Sequence, residues 1–194
     1  MTTDLCKLAN KYGTDKAIFY TPFYHELLAD RRDRIKKVLE MGIGYPECMR
    51  DSLARIGASD YTAGASLFMW REYFPNAEIY GLDNNPKSFV GSERIRSFYC
   101  DQGDAGSYVE AIRHVGAEFD LIIDDGCHVI EYQLMAMRML MPLLRGDGIY
   151  IMEDISGDYD ALLSQIPYPH KLVRFSRTDL AESNTAAVVV IRKH

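Results

Sequence analysis

The chain is short of basic residues: 22 Lys and Arg stand against 28 Asp and Glu, a formal net charge of −6. A surface built to neutralise phosphates needs the reverse balance, which argues against a general nucleic-acid binder. Long apolar runs are also missing. None approaches the roughly 20 residues needed to cross a bilayer, and the opening MTTDLCKLANKYGTDK is too polar for a secretory signal. The expectation is a cytoplasmic protein with no membrane partner. Cysteine is sparse and scattered, at Cys6, Cys48, Cys100 and Cys127, with no C-x-x-C pair. That speaks against a zinc site or a disulfide framework. There is no G-x-S-x-G, no phosphate-loop G-K-[ST], no internal repeat and no low-complexity linker.

What is present is a 194-residue chain, 47% hydrophobic, enough for one domain with a real core. Strand-like and helix-like segments alternate. KKVLEMG (36–42), EIYGLD (78–83), RIRSFYCD (94–101), FDLIID (119–124) and DGIYIMED (147–154) read as buried strands. GASLFMWREYFP reads as a helix with Leu67, Trp70 and Phe74 on one face and Pro75 as its stop. DAGSYVEAIRHVG and SGDYDALLSQI read as shorter helices. HVIEYQLMAMRMLMPLLRG carries apolar residues at three-and-four spacing, with Pro142 expected to kink its last turn and Gly146 to cap it. HKLVRF and AAVVVIRK, separated by a polar loop, suit an antiparallel pair at a sheet edge. Such alternation predicts an α/β fold: a mostly parallel sheet with helices on both faces, binding ligands at the carboxyl ends of its strands.

Those strand ends carry the chemistry. LEMGIGYPE places Gly42 and Gly44 where the backbone must turn tightly. Glu47 replaces the third glycine of a dinucleotide fingerprint, and about 20 residues, YPECMRDSLARIGASDYTAG, intervene before the next helix. Asp83 ends the second strand, where a carboxylate can take both hydroxyls of a ribose; it reads equally as a cap. Asp101 and Gln102 end the third, where they can read an adenine edge. The set favours a nucleoside-bearing cofactor. Asp124, Asp125 and His128 follow the fourth strand, and Glu153 and Asp154 the fifth. Asp124 and Asp125 also read as helix caps, His128 as a cap or surface residue, and Glu153 and Asp154 as a solvated turn. Tyr20, Phe23, Tyr24 and Leu27 either pack a helix on the sheet or wall an acceptor pocket.

On NKYGTDK, YTPFYHELL, VLEMGIG, GASLFMWREYFPNAEIYGLD, FYCDQGD, LIIDDGCH and YIMEDI, the chain resembles the class I S-adenosylmethionine-dependent methyltransferases. Within them it resembles the metal-dependent sugar O-methyltransferases of macrolide biosynthesis. The resemblance implies a Rossmann-like, seven-stranded, mostly parallel sheet with an antiparallel C-terminal strand. It implies one domain over 1–194, with a helical cover at 1–35 and the core at 36–194. It implies that Tyr12, Thr14, Gly42, Gly44, Asp83, Asp101 and Gln102 meet S-adenosylmethionine. The carboxylates of DDG and ED would hold a divalent metal, and His128 would act as base. Cys127 stands where the family pattern has serine.

The residues themselves agree with that chemistry. If the fourth and fifth strands are neighbours, Asp125, Glu153 and Asp154 converge, and an all-oxygen set of this kind suits Mg²⁺. A sugar or alkyl hydroxyl is a poor nucleophile until a cation lowers its pKa and a base takes its proton. The expected partner is a small-molecule hydroxyl acceptor, with homo-oligomerisation left open. Two rivals use the same fold: an NAD-type oxidoreductase and a non-catalytic nucleotide-binding subunit.

Overall fold

The computed structural model describes residues 2–50, 54, 61–176 and 185–193. Much of the intervening segment after the glycine turn, the polar loop at 177–184 and His194 lie outside the described residues. Seven strands form one sheet in the order β3-β2-β1-β4-β5-β7-β6. They are β1 Lys37–Met41, β2 Glu78–Asp83, β3 Ile95–Tyr99, β4 Phe119–Asp124, β5 Leu144–Met152, β6 His170–Ser176 and β7 Thr185–Arg192. β1 to β5 pair in parallel, and β7 runs antiparallel to both of its neighbours. β4 is buried along its whole length, as a central parallel strand covered on both faces must be, and this explains its apolar stretch Leu121, Ile122 and Ile123; Asp120, buried beside it, accepts from the Lys36 and Lys37 amides.

Six α-helices are described: α1 Asp4–Tyr12, α2 Thr21–Leu28, α3 Ala65–Tyr73, α4 Ala105–Val115, α5 Ile130–Leu140 and α6 Tyr159–Leu163. Local chemistry sets their ends. Thr3 caps α1 by accepting from the Cys6 amide, and Gly13 closes it in the left-handed conformation. Asp104 and Asp158 cap α4 and α6 in the same way as Thr3. One apolar cluster joins α1, α2 and α3 to one face of the sheet through Leu5, Tyr24, Trp70 and Leu121. A second joins α4, α5 and α6 to the other through Tyr108, Leu134, Leu162 and Ile122. No described helix is long and apolar enough to cross a membrane.

Two expectations need correction. α5 ends at Leu140 and passes into a 3-10 turn, Met141–Leu143, which holds Pro142. Gly146 lies inside β5 and caps nothing, because β5 starts at Leu144, where Leu144 pairs with Phe119. The antiparallel pair at the sheet edge is as expected. Strand order reverses between β1 and β4, and in open α/β sheets the crevice outside that point receives ligands.

Candidate active site

The carboxyl ends of β1 and β4 are in backbone contact at that crevice. Gly42 has φ +86°, and a Cβ added to it would lie 2.0 Å from the Asp125 carbonyl oxygen. Only glycine permits both the turn and this approach. Asp83, at the end of β2, fastens the turn: Oδ2 accepts from the amides of Ile43 at 2.9 Å and Gly44 at 3.3 Å, and Oδ1 from Asn85 at 2.8 Å. Above the turn opens a cavity of about 330 Å³, reaching from the glycines to the acids after β4 and β5. Thr14, Gly42, Gly44, Asp83 and Gln102 line it, and so do Asp125, His128 and Asp154. Tyr12 and Asp101 stand outside this lining. Tyr12 stacks on Phe68 and gives its hydroxyl to Glu72, and the Asp101 carboxylate accepts from the Gly103 amide.

Gln102 lines the cavity but has its amide committed. Nε2 donates to Asp124 and Oε1 accepts from the Cys127 amide at 2.8 Å. The fit is close: a Cβ on Gly126 would lie 2.2 Å from Gln102 Oε1. Asp124 is fully buried, also accepts from the Tyr150 hydroxyl at 3.2 Å, and is no part of the cavity lining. Burial pushes its pKa up to about 7 against the pull of these hydrogen bonds.

The acids after β4 and β5 meet, but unequally. Asp125, His128 and Asp154 each bring one ligand atom within 4.8 Å of the others. His128 Nε2 is 3.9 Å from Asp125 Oδ1 and 3.8 Å from Asp154 Oδ2. His128 and Asp154 both hold positive φ, +57° and +48°, a conformation non-glycine residues adopt at a cost and one that collects at functional sites. Glu153 faces inward. It is fully buried, with Oε2 at 2.7 Å from Lys16 Nζ and Oε1 accepting from the Tyr24 hydroxyl. Burial raises its pKa well above the usual carboxylate range. Burial, then the neighbouring Asp125, raises that of Asp154.

Lys16 is the residue that sequence reasoning missed. It sits in a 3-10 turn, Asp15–Ala17, and is 2% exposed. Its ammonium lies 2.7 Å from Asp125, 2.7 Å from Glu153 and 3.2 Å from Glu40, whose other oxygen accepts from Trp70 Nε1 at 2.8 Å. One ammonium thus faces three carboxylates, with a fourth, Asp154, alongside. That excess of negative charge, and the oxygens of Asp125 and Asp154 turned to one void, fit a hard divalent cation. The only hint in the sequence is a lysine inside the KYGTDK motif.

The other described histidines serve elsewhere. His25 pairs with the Tyr73 hydroxyl, His114 stacks on Phe98, and His170 bonds the Tyr168 carbonyl. Cys6, Cys48, Cys100 and Cys127 are free, and Cys48, Cys100 and Cys127 line the cavity.

Strand order, glycine turn and strand-end acids together define the class I methyltransferase fold. No family model matches the chain. It nevertheless resembles the macrolide sugar O-methyltransferases throughout most of its length. It is 36% identical over 155 residues to the 8-demethyl-8-(2-methoxy-alpha-L-rhamnosyl)-tetracenomycin-C 3'-O-methyltransferase of Streptomyces olivaceus, covering 78% of this chain and 37% of that protein. It is 35% identical over 158 residues to the mycinamicin VI 2''-O-methyltransferase of Micromonospora griseorubida, covering 78% and 36%. Among solved structures, the MycE methyltransferase in complex with Mg, SAH and mycinamycin VI superimposes with a TM-score of 0.64 at 34% identity, over 78% of this chain and 39% of that one. A MycE complex with Mg and SAH gives 0.68 at 27% identity, over 96% and 54%. The match spans well under half the length of the curated relatives named here.

Proposed function

We propose that the chain is an S-adenosylmethionine-dependent, divalent-metal-assisted O-methyltransferase acting on a hydroxyl of a sugar-bearing or otherwise polyhydroxylated small molecule. The observation that carries this reading is the convergence of Asp125, His128 and Asp154 on the same cavity that Gly42, Gly44 and Asp83 line. The relatives' activities support it, as does the Mg and SAH bound by MycE. The acidic balance of the chain favours a small molecule over a nucleic acid as acceptor.

In this reading Gly42 and Gly44 let the backbone approach the donor, and Asp83 offers the ribose the one lone pair that its amide bonds leave on Oδ1. Thr14 covers the donor from the N-terminal segment. Gln102 supports the site through the loop it ties down, and Tyr12 and Asp101 receive no contact. Asp125 and Asp154 would hold the metal with the oxygens they turn to the void. Glu153, the expected third ligand, stands behind Lys16, where it holds the ammonium beside Asp125. A bound Mg²⁺ would lower the pKa of the acceptor hydroxyl. His128 Nε2 takes the proton, and the two carboxylates 3.8 and 3.9 Å away stabilise the imidazolium that results. The methyl group passes from sulfonium to oxygen, releasing neutral S-adenosylhomocysteine, so placement in line is the main demand on the protein. The single unit of 1–194, with 1–35 as cover over the core at 36–194, is the arrangement we assign. A cytoplasmic site of action goes with it.

A homocysteine-release assay over a panel of glycosylated acceptors tests the proposal. Turnover should vanish with EDTA and return with Mg²⁺; turnover unchanged throughout removes the metal from the mechanism. Stabilisation by NAD but not by S-adenosylhomocysteine in thermal melts would transfer the chain to the oxidoreductase reading.

A further inference from the structure

The N-terminal segment reaches past the donor cavity to the acids themselves. Tyr20 and Tyr24 lie one helical turn apart, at the boundary and inside of α2, so their side chains leave on one side. Both hydroxyls end on the acid pair that follows β5: Tyr20 donates to Asp154 Oδ1, and Tyr24 to Glu153 Oε1. Both tyrosines are buried, at 5% and 0% exposure, where a phenol requires an acceptor. Lys16 holds Asp125 Oδ2 at 2.7 Å from the same side. The outcome is an ordered division of oxygens. Asp154 has Oδ1 pinned and Oδ2 turned toward His128; Asp125 has Oδ2 pinned and Oδ1 turned toward His128.

We propose that Tyr20 and Tyr24 are positioning residues of the metal site. Tyr20 fixes which oxygen of Asp154 faces the void. Tyr24 holds Glu153 back against Lys16, and so keeps Lys16 on Asp125. The inference rests on the metal reading given above. It moves α2 from a packing or acceptor-wall role to the outer support of the cation. Outer-shell partners of metal-binding carboxylates typically carry about 10–100-fold in metal affinity.

The phenylalanine variants isolate this role, because the rings keep their packing. Tyr20 sits edge-on against Phe175 at 5.4 Å, and Tyr24 against Trp70 at 5.1 Å, and neither contact uses the hydroxyl. Mn²⁺ binding to the full chain, followed by electron paramagnetic resonance, is measured beside S-adenosylhomocysteine binding by calorimetry, for the unaltered chain, Asp154→Asn, Tyr20→Phe and Tyr24→Phe. Tyr20→Phe should weaken Mn²⁺ binding about 10–100-fold and Tyr24→Phe about tenfold, with S-adenosylhomocysteine affinity held within about threefold. Mn²⁺ affinity unchanged in both variants, while Asp154→Asn loses it, overturns the inference and leaves the metal reading standing. Equal losses for Mn²⁺ and S-adenosylhomocysteine indicate a general structural role and also overturn it. No Mn²⁺ binding by the unaltered chain overturns the metal reading itself, and the inference with it.

Discussion

Gln102 Nε2 donates to Asp124 Oδ1 at 2.6 Å, a bond between two buried side chains on the ends of β3 and β4. Through Oε1 the same amide holds the Cys127 N–H, so one side chain ties down the loop that carries Asp125 and His128. Gln102→Leu keeps the bulk but takes one donor from a buried carboxyl and leaves the Cys127 amide without its acceptor. It should lower the unfolding free energy by about 2–3 kcal/mol and reduce turnover by at least about tenfold through misplacement of His128. Urea unfolding and single-turnover rates check this; a stable variant with unaltered rates would mean the strut is dispensable.

Asp124 makes stability depend on pH in a definite direction. Its carboxyl gives up its proton near 3.8 in the unfolded chain and near 7 when buried. Below about pH 4 both states carry the proton. As pH rises toward 7 the unfolded chain releases it first and gains ground, so the contribution of this group falls across that window and levels off above it. Asp124→Asn removes the effect. The stability of the unaltered chain minus that of the variant should therefore decline from pH 5 to pH 8 in urea titrations; a difference constant with pH would contradict the burial argument.

Gly42→Ala places a methyl group 2.0 Å from the Asp125 carbonyl at a φ of +86°. Neither backbone can yield without opening the crevice between β1 and β4. We expect a loss of more than about 2 kcal/mol in stability and more than tenfold in S-adenosylhomocysteine affinity. Gly91→Ala, whose added Cβ meets nothing within 4 Å, is the control and should bind normally.

His128→Gln should slow methyl transfer by about 10²–10⁴-fold, with S-adenosylhomocysteine affinity within about threefold, since the imidazole serves the acceptor proton and not the donor. Near-native turnover at pH 7 would assign the base elsewhere.

Much of the architecture was legible in the sequence for a simple reason. β1, β2 and β4 lie between two covered faces, so burial dictates mostly apolar segments with polar ends, interrupted only where a buried acid such as Glu40 or Asp120 has a partner. The start of β5 was missed because Arg145, Gly146 and Asp147 are exposed and look like a turn, although Leu144 already pairs with Phe119. At the site, Asp125, His128 and Asp154 were readable as strand-end polar residues. Lys16 was not, because its burial depends on carboxylates delivered by β1, β4 and β5, and no local pattern encodes three such arrivals. Gln102 misled in the opposite sense: a polar residue at a strand end suggests ligand reading, but tertiary contacts take up both ends of its amide. The packing alternative for Tyr20 and Tyr24 left out their hydroxyls.

The place of β7 governs the order in which the sheet can be completed. The last described strand is threaded between β5 and β6, and among the described strands β6 pairs with β7 alone. Until residues 185–192 emerge from the ribosome, β6 has no ladder to join, and Val188 and Val190 are absent from the core they help to fill. A chain stopped just ahead of Thr185 would therefore lack β7 and leave β6 without its ladder, with the flank of β5 bare for pairing with another nascent chain.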